Sequence, residues 1–467
     1  MLDKLKNYFT QPRRIYEFAL AVFIILFYAF SRLWMVFKYG DAALGYDFGI
    51  YRHNIGLYFD RLGDKSVVPF GWSNFSNVLR LLGDSTDKIM VGWYFLFSVL
   101  ILAALYCVAK SYFNAKAALV AVILFAASIT QFEFYQWYFY RNFLALFFVL
   151  LAFLFIRHKS YFLILPLVFI GIVHPPSLIP LGLSLFAYLF VCEREERKFL
   201  LISGAVSLVL ILLLNWRELK IYLPFFTEYF GSAKKVAEGG HAEFSGLFIN
   251  AKEYLCYAVF YLPFGIVGFI MFFKKRKFLT IFLAINLILM AVGFVLYRRF
   301  FVFVDLVLII FASAAIFTLL ERRCNYCFVK YVFAVFCVLL FVFSSWHIVH
   351  KKPLITRTEM NAIQTLSHIS DGKYALTVSS NYAPWLLGFA NKKIIAPGMF
   401  EYDKFSREEW QKFWFSKDAS VRYDLLARYN SSPIFLFLGD KGFGFTSQID
   451  KDTHFTKLSK YLWRFDL

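Results

Sequence analysis

The feature that most constrains this chain is the near absence of charge from eleven long apolar stretches. Because a charged side chain at the centre of a bilayer costs at least about 2.5 kcal/mol, stretches of this kind are typical of membrane spans. Only Glu17, Arg32, Glu133 and Asp305 interrupt them. Two closely joined pairs of stretches leave the number of spans open by one or two. The stretches cover residues 15–37, 89–109, 117–133, 142–156, 161–173, 177–192, 199–215, 256–273, 278–297, 300–320 and 331–347.

The overall composition agrees with a polytopic α-helical membrane protein. Of the 467 residues 60% are hydrophobic, and the mean hydropathy is +0.60, whereas a soluble domain is about half apolar. The first apolar stretch is too long for the core of a signal peptide and lacks a small-residue cleavage site, so it is predicted to be a signal anchor. We therefore predict about eleven transmembrane helices.

The distribution of charge indicates the orientation in the membrane. The net charge is +19, which on its own is also typical of nucleic-acid binding. However, the short connections that would share one side with the N-terminus hold 18 basic and five acidic residues, while the long loops 38–88 and 216–255 are balanced. This is the positive-inside pattern. It predicts a cytoplasmic N-terminus, an extracytoplasmic tail and no nucleic-acid partner.

Cysteine usage gives no sign of a disulfide framework or a metal centre. Five of the six cysteines lie in spans or at their cytoplasmic ends, and the tail has none. Cys324 and Cys327 form a CxxC motif, but no second CxxC or histidine pair accompanies it. We predict no cofactor, and a divalent metal (Mg or Mn) stays an open alternative.

Two regions are predicted, a transmembrane region at 1–347 and an extracytoplasmic α/β domain at 348–467. In the first outer loop, apolar residues from Phe48 to Leu62 recur with helical spacing, which predicts an amphipathic helix on the membrane surface. In the tail, Tyr374–Val378, Lys393–Ala396 and Pro433–Leu438 are predicted strands. Ser406 and Glu409 form a capping box that would open a helix reaching about Tyr429.

Polar residues concentrate at the predicted outer ends of the spans. Arg298 and Arg299 lie in a tight outer turn, against the positive-inside trend. Paired guanidiniums at the depth of the lipid headgroups can bind a phosphate or pyrophosphate. The alternative is that the two side chains snorkel toward water and form ion pairs with Asp305 or Glu133. Asp305 lies two turns deeper, which predicts a supporting partner for the arginine pair. The full outer set is Asp41, Asp47, Arg52, His53, Glu133, Arg141, His174, Arg298 and Arg299.

Asp47 is the candidate general base. It follows the first span in the run Gly45-Tyr-Asp-Phe-Gly-Ile-Tyr-Arg52, where a carboxylate at the membrane surface can accept a proton from an acceptor hydroxyl. The structural alternative is a helix cap, and Asp41 is the second candidate for the base. His174, in a short outer turn, either donates to a phosphate or caps the next helix. Arg141 opens a span after an aromatic run that is predicted to be an interfacial belt.

The architecture resembles the GT-C superfamily of polytopic glycosyltransferases. The resemblance consists of a long first outer loop with an early acidic residue, arginines at later outer turns and a small terminal α/β domain; in residues it covers only Tyr46–Arg52. It implies that Asp47 takes the role of the catalytic Asp and that Arg298 or Arg299 holds a lipid-phosphate donor. This chain lacks the adjacent pair of acids found in some members, since Phe48 follows Asp47. The choice between Asp47 and Asp41, and the need for a metal, therefore stay open.

Together these features predict an inverting glycosyltransferase in the cell membrane. It would move a sugar from a polyprenyl-phosphate-linked donor to an acceptor hydroxyl on a glycan, lipid or protein at the outer face. Arg141, His174, Arg52 and His53 are further candidates for contact with the donor. One alternative is an O-antigen-type polymerase or ligase acting on a lipid pyrophosphate. The other is a flippase or transporter of lipid-linked sugar, for which we find neither midplane charges nor inverted repeats.

Overall fold

The chain combines a helical membrane region with a terminal domain built on a five-stranded sheet. The computed structural model describes residues 12–53, 89–216, 248–294, 296–322, 327–377, 382–397 and 404–467. Residues 54–88 of the predicted first outer loop, residues 217–247 of the predicted second outer loop (216–255) and Cys324 lie outside the described residues.

Thirteen helices make up the described membrane region. They are α1 (Pro12–Tyr39), α2 (Tyr94–Tyr112), α3 (Ala115–Ala127), α4 (Ile129–Gln136), α5 (Tyr140–Arg157), α6 (Ile164–Val173), α7 (Pro175–Leu189), α8 (Arg194–Leu214), α9 (Ala251–Tyr257), α10 (Leu262–Phe272), α11 (Lys277–Ala291), α12 (Phe301–Arg322) and α13 (Cys327–His350).

Each of the eleven predicted apolar stretches is helical, but the count of eleven spans is not confirmed. Among the described residues, six helical segments are long and apolar enough to cross a membrane alone. Two further candidates are bent pairs: α3 and α4 meet at 52°, and α9 and α10 meet at 92°. Three shorter apolar helices complete the set. The protein is thus multi-pass, with six to eight spans by length and composition.

Helix α12 is the centre of the helical core. Its sequence is apolar on every side, as expected for a helix surrounded by protein. It packs most extensively against α10 and next against α3. Almost the whole span that contains it is buried inside the protein. The turn that carries Arg298 and Arg299 leads directly into this helix, so their positions are tied to the most buried of the candidate spans.

The terminal domain is an α/β layer structure, as predicted. Its strands β1 (Tyr374–Thr377), β2 (Lys393–Ile395), β3 (Ile434–Phe437), β4 (Phe455–Lys457) and β5 (Leu462–Phe465) form one sheet in the order β2-β1-β3-β5-β4. The first three strands are parallel, and β5 and β4 extend the sheet antiparallel. Helices α14 (Arg357–His368), α15 (Ala383–Phe389), α16 (Arg407–Phe415), α17 (Ala419–Ala427) and α18 (Phe443–Ile449) cover it.

The capping box is confirmed, but the helix that it opens is shorter than predicted. The Ser406 side chain accepts from the Glu409 backbone N–H, and Glu409 reaches back to the Ser406 N–H. The helix ends at Phe415, because Ser416 is extended and Asp418 caps a new helix. An aspartate that offers its side chain to the Ser420 N–H competes with helix continuation, which explains the break before Tyr429.

The predicted surface helix begins at Phe48 as expected, but its described part is buried in protein. Residues 48–53 are helical, and Ile55 to Leu62 lie outside the described residues. Phe48 packs edge-on against Tyr138 and stacks on Phe389 of the terminal domain. The apolar stripe was therefore read correctly as a helix face, while its assignment to the lipid surface was wrong for this segment.

The terminal domain sits directly on the start of the first loop. Trp385 Nε1 donates to the Leu44 carbonyl at 3.0 Å, and Arg52 donates to the Gly388 carbonyl. The backbones at Gly49 and α15 approach so closely that a Cβ at position 49 would overlap the Pro384 carbonyl. Residues 44–53 are consequently held between the helical core and the terminal domain.

Candidate functional site

The turn that carries Asp47 is fixed by backbone contacts with the break between α4 and α5. The Asp47 N–H donates to the Trp137 carbonyl at 3.4 Å. Gly45 lies so close to this break that a Cβ there would overlap the Gln136 carbonyl. A larger residue at position 45 would push the turn away from the core. The Gly45-Tyr-Asp sequence thus places the carboxylate at a defined point of the bundle end.

Asp47 forms an ion pair with Arg299. Arg299 Nη2 lies 3.5 Å from Asp47 Oδ2, and the side chains are only 16% and 10% exposed. The guanidinium also lies over the Phe139 ring, 3.9 Å from its centroid, which is a cation–π contact. Two residues 252 positions apart are therefore brought together, and Arg299 is oriented by an aromatic face on one side and a carboxylate on the other.

The arginine turn is a short 3-10 helix at Tyr297–Phe300. Leu296 before it adopts a left-handed conformation with φ 58°, which reverses the chain. Although buried, Arg299 Nε has no hydrogen-bond partner among the described residues. Buried donors are nearly always satisfied in proteins, so this donor indicates room for an acceptor that a ligand would supply.

Arg141 and His174 form the other half of the cluster. Arg141 Nε donates to the Val173 carbonyl at 2.7 Å, which holds the start of α5 against the end of α6. His174 Nδ1 lies 2.8 Å from Ser177 Oγ, and Ser177 donates to Asn142 Oδ1 at 3.1 Å. Since the serine hydroxyl donates to the amide, the His174 ring nitrogen is the donor to that hydroxyl. The ring orientation is thereby fixed.

The electrostatics of the two halves are linked. Burial raises the pKa of Asp47 above its ordinary value, and Arg299 and then Arg141 oppose this rise. The single Arg299 contact is long, so it does not cancel the effect of burial. Burial lowers the pKa of His174 well below its ordinary value, and Arg141 and Arg299 lower it further. At neutral pH the cluster therefore combines two guanidinium cations, one carboxyl group and a neutral imidazole.

Several predicted residues lie outside this cluster. Asp41 is exposed and accepts from Gln364 Nε2 of the terminal domain at 2.7 Å. Arg52 donates to the Gly388 carbonyl and lies over the Phe389 ring at 4.6 Å. Both side chains thus contribute to the contact between the two regions. Burial lowers the pKa of His53.

Arg298 and Asp305 are not brought together. Arg298, half-buried beside Arg299, has no ion pair among the described residues. Asp305 accepts from Tyr261 Oη, Gln131 Nε2 and Ser128 Oγ, at 2.5, 2.9 and 3.0 Å. The prediction that Asp305 supports the arginine pair does not match these contacts. The Asp305 side chain is turned toward α4, the break before it and the start of α10 rather than back to the arginine turn.

Glu133 and Arg32, two of the charges that interrupt the apolar stretches, have structural partners. Glu133 accepts from His347 Nε2 at 2.7 Å and from Lys351 Nζ at 2.6 Å, which ties α4 to the end of α13. The Arg32 guanidinium lies over the Tyr28 ring at 4.5 Å and within 5.5 Å of the Tyr135 ring centroid. Cation–π contacts of this kind offset part of the cost of burying a guanidinium.

Sequence reasoning missed three residues of the site. Phe139 supports Arg299, while Ser177 and Asn142 orient His174. The sequence held a usable signal for two of them. Asn142 is the residue next to Arg141, and Ser177 lies three residues, about one helical turn, after His174. Phe139 belongs to the aromatic run predicted as an interfacial belt, and here it is fully buried.

The described residues around Asp47 are better suited to an anion than to a divalent metal. Among the described residues, no group of three or more His, Cys, Asp or Glu side chains is placed to hold a metal ion. The neighbours of Asp47 are guanidiniums, which repel a cation. The charge of the cluster instead favours an anion.

Comparison with known proteins shows the fold. No protein-family model and no curated protein matches the chain. The Archaeoglobus fulgidus oligosaccharyltransferase does match, with a TM-score of 0.66 in the apo form at 11% identity over 90% of this chain and 69% of that one. Its complex with Zn and sulfate gives 0.64 at 13% over 92% and 69%. The archaeal oligosaccharyltransferase AglB from Archaeoglobus fulgidus, bound to an inhibitory peptide and a dolichol-phosphate, gives 0.62 at 12% over 94% and 71%. The chain therefore shares its fold with these oligosaccharyltransferases, which is the kind of fold that the predicted resemblance implies.

Proposed function

We propose that this protein is an inverting membrane glycosyltransferase that uses a polyprenyl-phosphate-linked sugar. The observation that carries the proposal is the cluster of Asp47, Arg299, Arg141 and His174, in which a buried carboxyl group lies beside two guanidiniums and a neutral imidazole. The likeness in fold to oligosaccharyltransferases, one of them solved with a dolichol-phosphate, supports the choice of a lipid-linked donor.

The reaction uses the two charge types of the cluster for different steps. The Asp47 carboxylate accepts the proton of the acceptor hydroxyl, whose oxygen bonds to the anomeric carbon as the bond between that carbon and the phosphate oxygen breaks. The electron pair of the broken bond leaves with the polyprenyl phosphate, and the configuration inverts. A phosphate monoester carries between about −1.5 and −2 at neutral pH, so Arg299, Arg141 and the adjacent Arg298 oppose the charge that develops.

Arg299 has a double role in this scheme. Its Nη2 group contacts Asp47 while its Nε group has no protein acceptor among the described residues. A phosphate oxygen bound at Nε would place the base and the leaving group on neighbouring nitrogens of one guanidinium. Positioning two reacting groups in this way contributes to the rate by orientation as well as by charge.

In the proposed orientation the cluster and the terminal domain lie at the outer face. The balanced outer loops and the basic cytoplasmic connections support this orientation. The tail covers residues 44–53 and therefore forms one wall of the site that an acceptor would approach.

The test is a reaction with purified full-length protein in detergent and a radiolabelled polyprenyl-phosphate sugar. We expect release of polyprenyl phosphate only when an acceptor is added, and nuclear magnetic resonance of the product should show inverted anomeric configuration. A product with retained configuration would contradict a single displacement with Asp47 as base. The polymerase or ligase alternative predicts a different result. It would be favoured if the protein released polyprenyl pyrophosphate from a pyrophosphate donor, if an Asp47→Asn variant kept full activity, and if a His174→Gln variant lost it.

A further inference from the structure

A second charged cavity lies at the other end of the helical bundle. It has a volume of about 250 Å³ and is formed by the ends of α2, α5 and α7, the start of α8 and the connection between α10 and α11. Arg141 and Arg157 occupy opposite ends of α5, and sixteen residues of helix span about 24 Å. The cavity is therefore separated from the Asp47 cluster by nearly the thickness of a membrane.

Basic side chains dominate the walls of this cavity. Two arginines and four lysines face two glutamates: Arg157, Lys159, Lys274, Lys275, Arg276 and Lys277 against Glu193 and Glu196. The glutamates already have partners within the cavity wall. Glu193 pairs with Lys159 at 3.4 Å, and Glu196 accepts from Tyr188 Oη at 3.1 Å.

Among the residues that the structure describes, neither arginine has a carboxylate partner. Arg157 Nε donates to the Ser111 carbonyl at 3.2 Å, and the Arg276 guanidinium lies over the Phe113 ring at 5.0 Å. Arg276 Nε is buried and has no hydrogen-bond partner among the described residues. Burial and the nearby Arg157 both lower the pKa of Arg276, as expected for two like charges that no anion separates.

We propose that this cavity binds a phosphate group, carried by the headgroup of an anionic phospholipid or by a soluble phosphate ester. A phosphate provides the acceptor oxygens that Arg276 lacks and reduces the repulsion between the two guanidiniums. The position at the helix ends, at the depth of lipid headgroups, favours the lipid source, because basic pockets between helices on the cytoplasmic side bind such headgroups.

The positive-inside rule alone would place basic residues here without a binding site. A matched pair of charge-removing variants separates the two explanations. Arg157→Gln with Arg276→Gln removes both unpaired guanidiniums of the cavity. Arg194→Gln with Arg197→Gln removes the same charge from the neighbouring start of α8, outside the cavity wall.

The experiment measures binding of phosphatidylglycerol, phosphatidylcholine and inorganic phosphate to purified full-length protein in detergent, by native mass spectrometry and by the shift in thermal unfolding. We expect preferential binding of phosphatidylglycerol, weakened about tenfold or more in the cavity variant and less than about threefold in the control. If inorganic phosphate protects the protein with the same dependence on the variants, the source is soluble. Equal binding of both lipids with no effect of phosphate, or equal losses in the two variants, would overturn the proposal.

A second variant keeps the test decisive if the double arginine variant does not fold. Lys274→Gln with Lys275→Gln changes two exposed side chains on the cavity rim and leaves both guanidiniums in place. We expect a partial loss of phosphatidylglycerol affinity, larger than in the Arg194 and Arg197 control. No loss beyond that control would contradict a phosphate site in this cavity.

Discussion

Replacing Arg299 by Met is the sharpest perturbation of the proposed site. Methionine keeps the unbranched stem and a contact with the Phe139 ring, since thioethers pack well on aromatic rings, but it removes the charge and the donors. Two functions of Arg299 are lost at once: the ion pair with Asp47 at 3.5 Å and the Nε donor that we assign to the phosphate. Packing is largely preserved, so the expected effect is on the reaction rather than on the fold.

The size of the effect follows from these contacts. A hydrogen bond to a charged group contributes about 1.5–3 kcal/mol, which corresponds to roughly a 10- to 150-fold loss in kcat/KM for the donor. A second effect concerns Asp47. Because Arg299 lowers its pKa, removal of Arg299 raises that pKa further. A carboxyl group with a raised pKa loses its proton at a higher pH, so the acid limb of the pH–rate profile should move upward.

The assay is steady-state transfer from a polyprenyl-phosphate sugar over a range of pH, with thermal unfolding measured in parallel. Arg428→Met is the matched control, because Arg428 is 60% exposed and pairs with Glu409 on the surface of the terminal domain, away from the Asp47 cluster. The reasoning is refuted if Arg299→Met keeps its kcat/KM within twofold of the wild type. An unchanged acid limb would refute the coupling between Arg299 and Asp47.

Three further predictions address the pH response, the terminal domain and the membrane core. In the wild type, transfer should fall as the pH drops through the raised pKa of Asp47, so the acid limb of kcat/KM should lie above the range of an ordinary aspartate. Gly49→Val should lower transfer strongly with the helical content retained in circular dichroism, because its side chain would collide with the Pro384 carbonyl and displace the tail; full activity would contradict the contact. Glu133→Gln should lower the thermal unfolding midpoint by several degrees, since Lys351 and His347 lose their buried carboxylate partner; an unchanged midpoint would show that the pair is dispensable.

The helical part of the fold followed closely from the sequence because hydropathy reports burial in lipid or protein directly. Every apolar stretch is helical, and the strands at Tyr374, Lys393 and Ile434 lie where alternation and turn residues placed them. The number of membrane spans did not follow from the sequence. The bends between α3 and α4 and between α9 and α10 arise at short polar or aromatic breaks, which composition does not distinguish from a continuous helix. Strands β4 and β5 were missed because each has only three or four residues and mixed polarity.

The site was predictable in its residue types but not in its pairings. Asp47, Arg141, His174 and Arg299 stood out because polar residues at span ends are expensive to bury. Their separation in sequence gave no indication of which would meet, and Asp41 stayed a second candidate beside Asp47. In the structure the Asp47 side chain is buried, whereas Asp41 is exposed and accepts from Gln364. Tertiary contacts of this kind are not encoded in a local pattern.

The measurement that tests the central claim most directly is single-turnover transfer by the Asp47→Asn protein, compared with Asp41→Asn and with Asp424→Asn as an exposed control. A general base contributes about 10²- to 10⁴-fold to the rate, so we expect a loss of that size in the Asp47 variant with donor affinity largely retained. We expect the Asp41 variant to stay within about threefold of the control, because its partner Gln364 can bond an amide as well. Full turnover in the Asp47 variant, or a greater loss in the Asp41 variant, would contradict the assignment of Asp47 as the base.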